Sequence, residues 1–178
     1  MPVIAVFGDS SIKPASAAYA EAVRLGRRLA EAGHEVMTGG YGGAMEAVSM
    51  GAREAGGATI GVTVPDVFPD RSSPNEHVTQ ERQAVSLIAR IGELVEGSDA
   101  CIALEGSIGT FTELMVAWNL AFVARFTDAP PKPVITVGSL WRPLVAKLAD
   151  ELETDASLIT SVSTINDAVT TLDRLLQA

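Results

Sequence analysis

The chain has one cysteine, Cys101, among 178 residues. One thiol forms no intramolecular disulfide, and inside the apolar run ACIAL it reads as a small core residue. Basic residues are scarce too. Three lysines and ten arginines stand against 22 acidic residues, for a formal net charge of -9. Nucleic-acid binding rests on a basic face, and the one paired basic spot, Arg27 and Arg28, falls on an expected surface helix. No nucleic-acid partner is expected. Two histidines, His34 and His77, cannot make a histidine-rich metal site, and no HExxH or Cys/His ligand spacing occurs. Both are expected at the surface, and no metal is expected. The chain also lacks a Gly-Lys-Ser/Thr phosphate loop, a Gly-x-Ser-x-Gly nucleophile turn and the dinucleotide glycine fingerprint. Its most apolar long stretch, LMVAWNLAFVARF, is broken by Asn119 and Arg125 and is too short to span a bilayer. The start, MPVIAVFG, runs straight into a strand-like segment without the flanks of a leader. A cytoplasmic protein with no membrane partner is expected.

What is present is ordered and regular. Apolar residues make up 47% and charged residues 20%, a globular composition. The length suits a single domain over 1–178. Strand-like runs at 3–8, 35–40, 58–64, 99–104, 132–138 and 157–163 alternate with helical stretches. Those stretches cover 16–33, 43–56, 79–98, 109–126, 140–152 and 164–178. Gly33 suits a helix C-terminus, and Pro143 is tolerable in a first helical turn. Such alternation implies right-handed crossovers and a mostly parallel sheet. The expected fold is α/β and Rossmann-like, with three α/β/α layers. In open sheets of this kind ligands bind beyond the carboxyl ends of the strands. The loops to read are therefore 8–11, 39–43, 65–78 and 105–110.

Two of these loops are rich in glycine. GGYGG, 39–43, leads into a helix, where free backbone N–H groups can face an anion; a tight turn with close helix-to-sheet packing is the plainer reading. EGSIGTFTE, 105–113, is a second strand-to-helix turn. Its Thr-x-x-Glu pattern fits a capping box, with Thr110 as the cap and Glu113 reaching back. The opposite reading makes Glu113 an active-site acid. Glu105 adds a carboxylate at the mouth of a phosphate-type turn, where it would repel phosphate if it pointed inward. QERQ, 80–83, reads by itself as the solvated first turn of a helix.

In combination, these motifs resemble the LOG ("Lonely Guy") family of nucleoside 5'-monophosphate phosphoribohydrolases, often labelled lysine decarboxylases. The family hallmark Pro-Gly-Gly-x-Gly-Thr-x-x-Glu is matched at Gly106, Gly109, Thr110 and Glu113. A second signature, a glycine run ending in Gly-Leu-Met, is matched at Gly39, Gly40, Gly43 and Met45. The family's Glu-Arg-Lys-Ala looks like Glu81 to Ala84, and its Gly-Ser-Ser loop looks like Asp9, Ser10 and Ser11. The resemblance covers roughly residues 3–150. Glu105, Ser107, Thr38, Gln80, Gln83 and Asp9 depart from the pattern.

The resemblance implies hydrolysis of an N-glycosidic bond to a free base and ribose 5-phosphate, without metal or organic cofactor. It implies catalytic roles for Glu113 and for Arg82, which would hold Glu113 or the ligand. It implies substrate binding by Ser10, Gly39, Gly40, Gly43, Glu81, Gly106, Ser107, Gly109 and Thr110. It also implies a homodimer with the helix 112–126 near the contact, and Trp118 or Phe122 close to it. A pyridoxal-type decarboxylase needs a Schiff-base lysine, and none of Lys13, Lys132 and Lys147 has that setting. The same glycine turns resemble molybdenum-cofactor carrier proteins, so a non-catalytic nucleotide or cofactor carrier is the alternative. A scaffold with a vestigial pocket is the third.

Overall fold

The computed structural model describes residues 1–71, 73–128 and 130–177. Seven parallel strands form one sheet: β1 (Val3–Phe7), β2 (Glu35–Thr38), β3 (Thr59–Thr63), β4 (Gln80–Gln83), β5 (Ala100–Ala103), β6 (Val134–Val137) and β7 (Ile159–Val162). Their order is β4-β3-β2-β1-β5-β6-β7. The helices are α1 (Ala17–Glu31), α2 (Ala44–Glu54), α3 (Leu87–Glu96), α4 (Ile108–Ala124), α5 (Trp141–Glu151) and α6 (Ile165–Leu176). The Rossmann-like α/β expectation holds.

Two apolar layers flank the sheet, because strands buried on both faces send alternate side chains to each. Ile4, Val6, Ile102 and Ile135 face α1, α2 and α6. Phe7, Met37, Ile60 and Cys101 face α3, α4 and α5. The strand order reverses between β1 and β5, so their loops leave to opposite faces and open a crevice at the strands' carboxyl ends.

One element differs from the expectation. The stretch 79–98 is not one helix. Gln80–Gln83 pairs in parallel with β3, from Ile60↔Gln80 to Thr63↔Gln83. Its polar side chains suit an edge strand, which needs only backbone pairing. The helix begins later, where the Ser86 side chain accepts a hydrogen bond from the Ala89 amide at 3.1 Å. His34 is also buried rather than at the surface, with Nε2 2.7 Å from Asp173 Oδ1. There the turn into β2 meets α6.

Candidate functional site

The crevice holds a cavity of about 210 Å³ built from five segments: the loop after β1, the turn after β2, the Pro-rich loop after β3, α3 and the start of α4. The GGYGG turn supplies its floor. Gly39 must be glycine, because a Cβ there would stand 1.7 Å from Arg90 Nη2. At Gly43, with φ 69°, a Cβ would meet the Ser10 backbone at 2.5 Å. The first loop therefore packs directly on this turn, with the Ala44 amide donating to the Asp9 carbonyl at 2.9 Å. From the Pro-rich loop, Asn75 Nδ2 donates to the carbonyls of Gly40 (3.0 Å) and Tyr41 (2.9 Å).

Arg90 crosses the floor of the cavity. It is buried on α3 and donates from Nε to the Val62 carbonyl (2.8 Å) and from Nη2 to the Gly39 carbonyl (2.9 Å). Its guanidinium lies 5.6 Å from the Tyr41 ring centroid, a cation–π distance. Burial lowers its pKa from the usual arginine value, while the nearby Glu113 opposes that. Arg90 Nη1 is 3.8 Å from Glu113 Oε1.

Glu113 is the group the surroundings perturb most usefully. Its side chain is 13% exposed. Burial lifts its carboxyl from 4.5 to about 7, against the opposing pull of Arg90. A carboxyl that titrates near neutrality, inside a cleft, suits proton transfer or stabilisation of a developing cation.

The capping-box expectation fails. Ser107, not Thr110, occupies the cap of α4, and no side chain accepts from the first amides. Thr110 lies inside the first turn, 2% exposed, and its Oγ1 is buried without a partner. Glu113 turns toward Arg90 instead of back along its own helix. The first amides of α4 are thus left without a side-chain partner, beside an unpaired hydroxyl.

Glu105 points away from this start. Its Oε1 accepts from the amides of Ser139 (2.8 Å) and Leu140 (3.1 Å) and from Ser139 Oγ at 3.3 Å. It caps α5 and does not face the anion position. A larger cavity of about 480 Å³ opens on that side, between Leu104, Val137 and Ile165. Neither Arg90 nor Glu113 lines it; both line the smaller one.

The expected site residues divide accordingly. Ser10, Gly39, Ser107, Gly109, Thr110 and Glu113 line the cavity. Gly40 and Gly43 shape the turn behind it, and Gly106 packs on Thr110, where a Cβ would come within 2.2 Å of Oγ1. Arg82 and Glu81 lie apart, on the edge strand β4. Arg82 Nη1 pairs with Glu93 Oε1 at 2.7 Å, and Glu81 Oε1 accepts from Thr63 Oγ1 at 2.6 Å. The expectation that Arg82 holds Glu113 is therefore corrected, since Arg90 does so. The signal for Arg90 was an arginine inside the apolar stripe of α3, next to Ile91 and one turn from Leu94. Starting the helix at 79 hid that phase. Tyr41, inside the GGYGG turn, and Arg71, which carried no sequence motif, also line the cavity. Among the described residues no group of three or more His, Cys, Asp or Glu could hold a metal ion. No helix among them is long and apolar enough to cross a membrane.

A parallel sheet with a crevice at its switch point, an uncapped helix start and an Arg–Glu pair defines a Rossmann-like α/β protein with a polar cleft at the strands' carboxyl ends. Residues 1–168 match the SLOG cluster4 family, and the chain belongs to it. A probable cytokinin riboside 5'-monophosphate phosphoribohydrolase of Oryza sativa subsp. japonica is 35% identical over 118 residues. That is 65% of this chain and 48% of the relative, so the match spans about half the length of that curated relative. Two solved structures cover the chain more fully. The molybdenum cofactor carrier protein of Chlamydomonas reinhardtii is 27% identical over 100% of both chains, with a TM-score of 0.79. The molybdenum cofactor binding protein of Rippkaea orientalis is 26% identical, covering 98% of this chain and 97% of that one, with a TM-score of 0.79.

Proposed function

We propose that the chain hydrolyses the N-glycosidic bond of a nucleoside 5'-monophosphate. The observation that carries this is the Glu113 carboxyl, raised to about 7 beside Arg90 at the mouth of an anion-binding helix start. In the reaction, water adds its oxygen to ribose C1' and the C1'–N bond breaks. The bonding electrons leave with the base, and the proton lost by water ends on the base. The transition state carries oxocarbenium charge, which an adjacent carboxylate stabilises. Glu113 supplies that carboxylate, and Arg90 favours its ionised form. The amides at the start of α4, with Thr110 Oγ1, Ser10 and Ser107, take the 5'-phosphate. No metal or organic cofactor takes part in this scheme.

The test is incubation with a panel of nucleoside 5'-monophosphates, assayed for free base and ribose 5-phosphate. Product from wild type and none from Glu113→Gln supports the proposal. Tight binding with no product in either favours the second reading, a carrier that holds its ligand unchanged. That reading draws on the full-length likeness to the molybdenum cofactor carrier of Chlamydomonas reinhardtii.

Self-association belongs to the same proposal. α4 buries Leu114, Ala117, Trp118 and Ala121 in its own core and leaves Leu120 and Val123 exposed. Trp118 is occupied within the chain, where Nε1 donates to the Asp155 carbonyl at 3.0 Å. The exposed apolar edge therefore lies with Leu120 and Val123, and a second copy is the proposed cover. A cytoplasmic setting completes the proposal and is checked by cell fractionation.

A further inference from the structure

Two arginines face the cavity and one carboxylate answers them. Arg90 has Glu113. Arg71, from the Pro-rich loop between β3 and β4, lines the same cavity and has no ion-pair partner among the described residues. Its guanidinium lies 5.3 Å from the Phe68 ring centroid and 5.7 Å from that of Tyr41. Those two rings meet edge to face at 5.7 Å. The aromatic pair orients the guanidinium by cation–π contact and leaves its N–H groups free. Asn75 holds the turn that carries Tyr41, so the platform is tied to the sheet.

Arg71 also borders a second cavity of about 330 Å³, which shares Ser10, Tyr41 and Arg71 with the first. The two spaces meet at Arg71. The strand order brings the two groups to the cavity from different strand ends. The start of α4 follows β5 and Arg71 follows β3, with β2 and β1 between.

We infer that the site has two anion-binding poles, Thr110 with the start of α4 at one end and Arg71 on its Tyr41–Phe68 platform at the other. Its preferred ligand is a nucleotide-like molecule with a second anionic group remote from the 5'-phosphate. This rests on the reading that the start of α4 takes the 5'-phosphate, and it extends that reading to the other end of the ligand. The chain's net charge of -9 gives long-range repulsion of such a ligand, so local guanidinium contacts have to supply the selectivity.

The experiment is calorimetric titration of the full chain, at one fixed salt concentration, with adenosine 5'-monophosphate and adenosine 3',5'-bisphosphate. Wild type is expected to bind the bisphosphate about tenfold more tightly, the effect of one charge-assisted hydrogen-bonded contact. Arg71→Gln is expected to lose that preference, and Arg71→Lys to keep part of it. Arg71 is exposed, and an unchanged melting temperature will show that the variants are folded. Equal wild-type affinities overturn the second pole and leave the first standing. So does a preference that survives in Arg71→Gln. Binding of neither nucleotide overturns the phosphate reading of α4 and this inference together.

Discussion

Glu113 Oε1 stands 3.8 Å from Arg90 Nη1, with both side chains largely shielded from water. The separation is too long for a direct hydrogen bond but short enough for strong coupling in a low-dielectric site. Glu113→Gln should lower base release by about 10²–10⁴-fold while nucleotide binding persists. Removing Arg90 removes the force that lowers the Glu113 pKa, so Arg90→Gln should move the acid limb of the pH–rate profile upward. An acid limb that stays in place would detach Arg90 from the chemistry.

The same carboxyl should weaken the fold at neutral pH. Its folded pKa, about 7, lies above its ordinary 4.5. Between those values the native state holds a proton that the unfolded chain has released, so stability falls as pH rises through the window. The shift corresponds to about 3 kcal/mol, fully present below pH ~4.5 and lost above pH ~7. Glu113→Gln should therefore raise the melting temperature at pH 8 and change it little at pH 4. Equal effects at both pH values would contradict this.

Arg82 should be dispensable for turnover. Its partner is Glu93, and both side chains are more than a third exposed. Arg82→Ala should leave kcat/KM within about twofold and cost no more than ~1 kcal/mol in stability. Steady-state kinetics and a denaturant titration measure both. A large kinetic loss would return Arg82 to the site.

Glu105 should matter for stability and not for phosphate. Glu105→Ala removes the acceptor from the amides of Ser139 and Leu140. A loss of about 1 kcal/mol is expected from the missing cap, read as a lower melting temperature. Affinity for a 5'-monophosphate should hold. Tighter binding would mean that the carboxylate does reach the cradle.

The exposed edge of α4 should set the assembly. Val123→Glu places a charge on the apolar surface beside Leu120. Sedimentation should show wild type above 18.6 kDa and the variant shifted toward monomer. A wild-type monomer at micromolar concentration would sink the self-association proposal.

The alternation of strands and helices was legible in the sequence because the five inner strands are largely apolar and buried on both faces. That signal survives without tertiary context. The glycine turns and Glu113 were legible too, since they sit at strand ends where such a sheet binds ligands. β4 was not. Its residues, Gln-Glu-Arg-Gln, carry no apolar pattern, and only backbone pairing with β3 makes them a strand. The pairing of Arg82 with Glu113 came from the family resemblance alone, and the strand sets Arg82 beside Glu93 instead.

The sequence by itself determined the alternation of strands and helices and the loops at the strands' carboxyl ends, because these follow from local periodicity and turn chemistry. Only the tertiary structure decided which charges meet. Arg90 and Glu113 belong to different helices, and Glu105 reaches its amide partners 34 residues along the chain. Arg71 reaches the cavity only because its loop folds back over Tyr41 and Phe68. Such pairings depend on how helices and loops pack across the sheet. No local pattern encodes a contact between side chains that only packing brings within 4 Å.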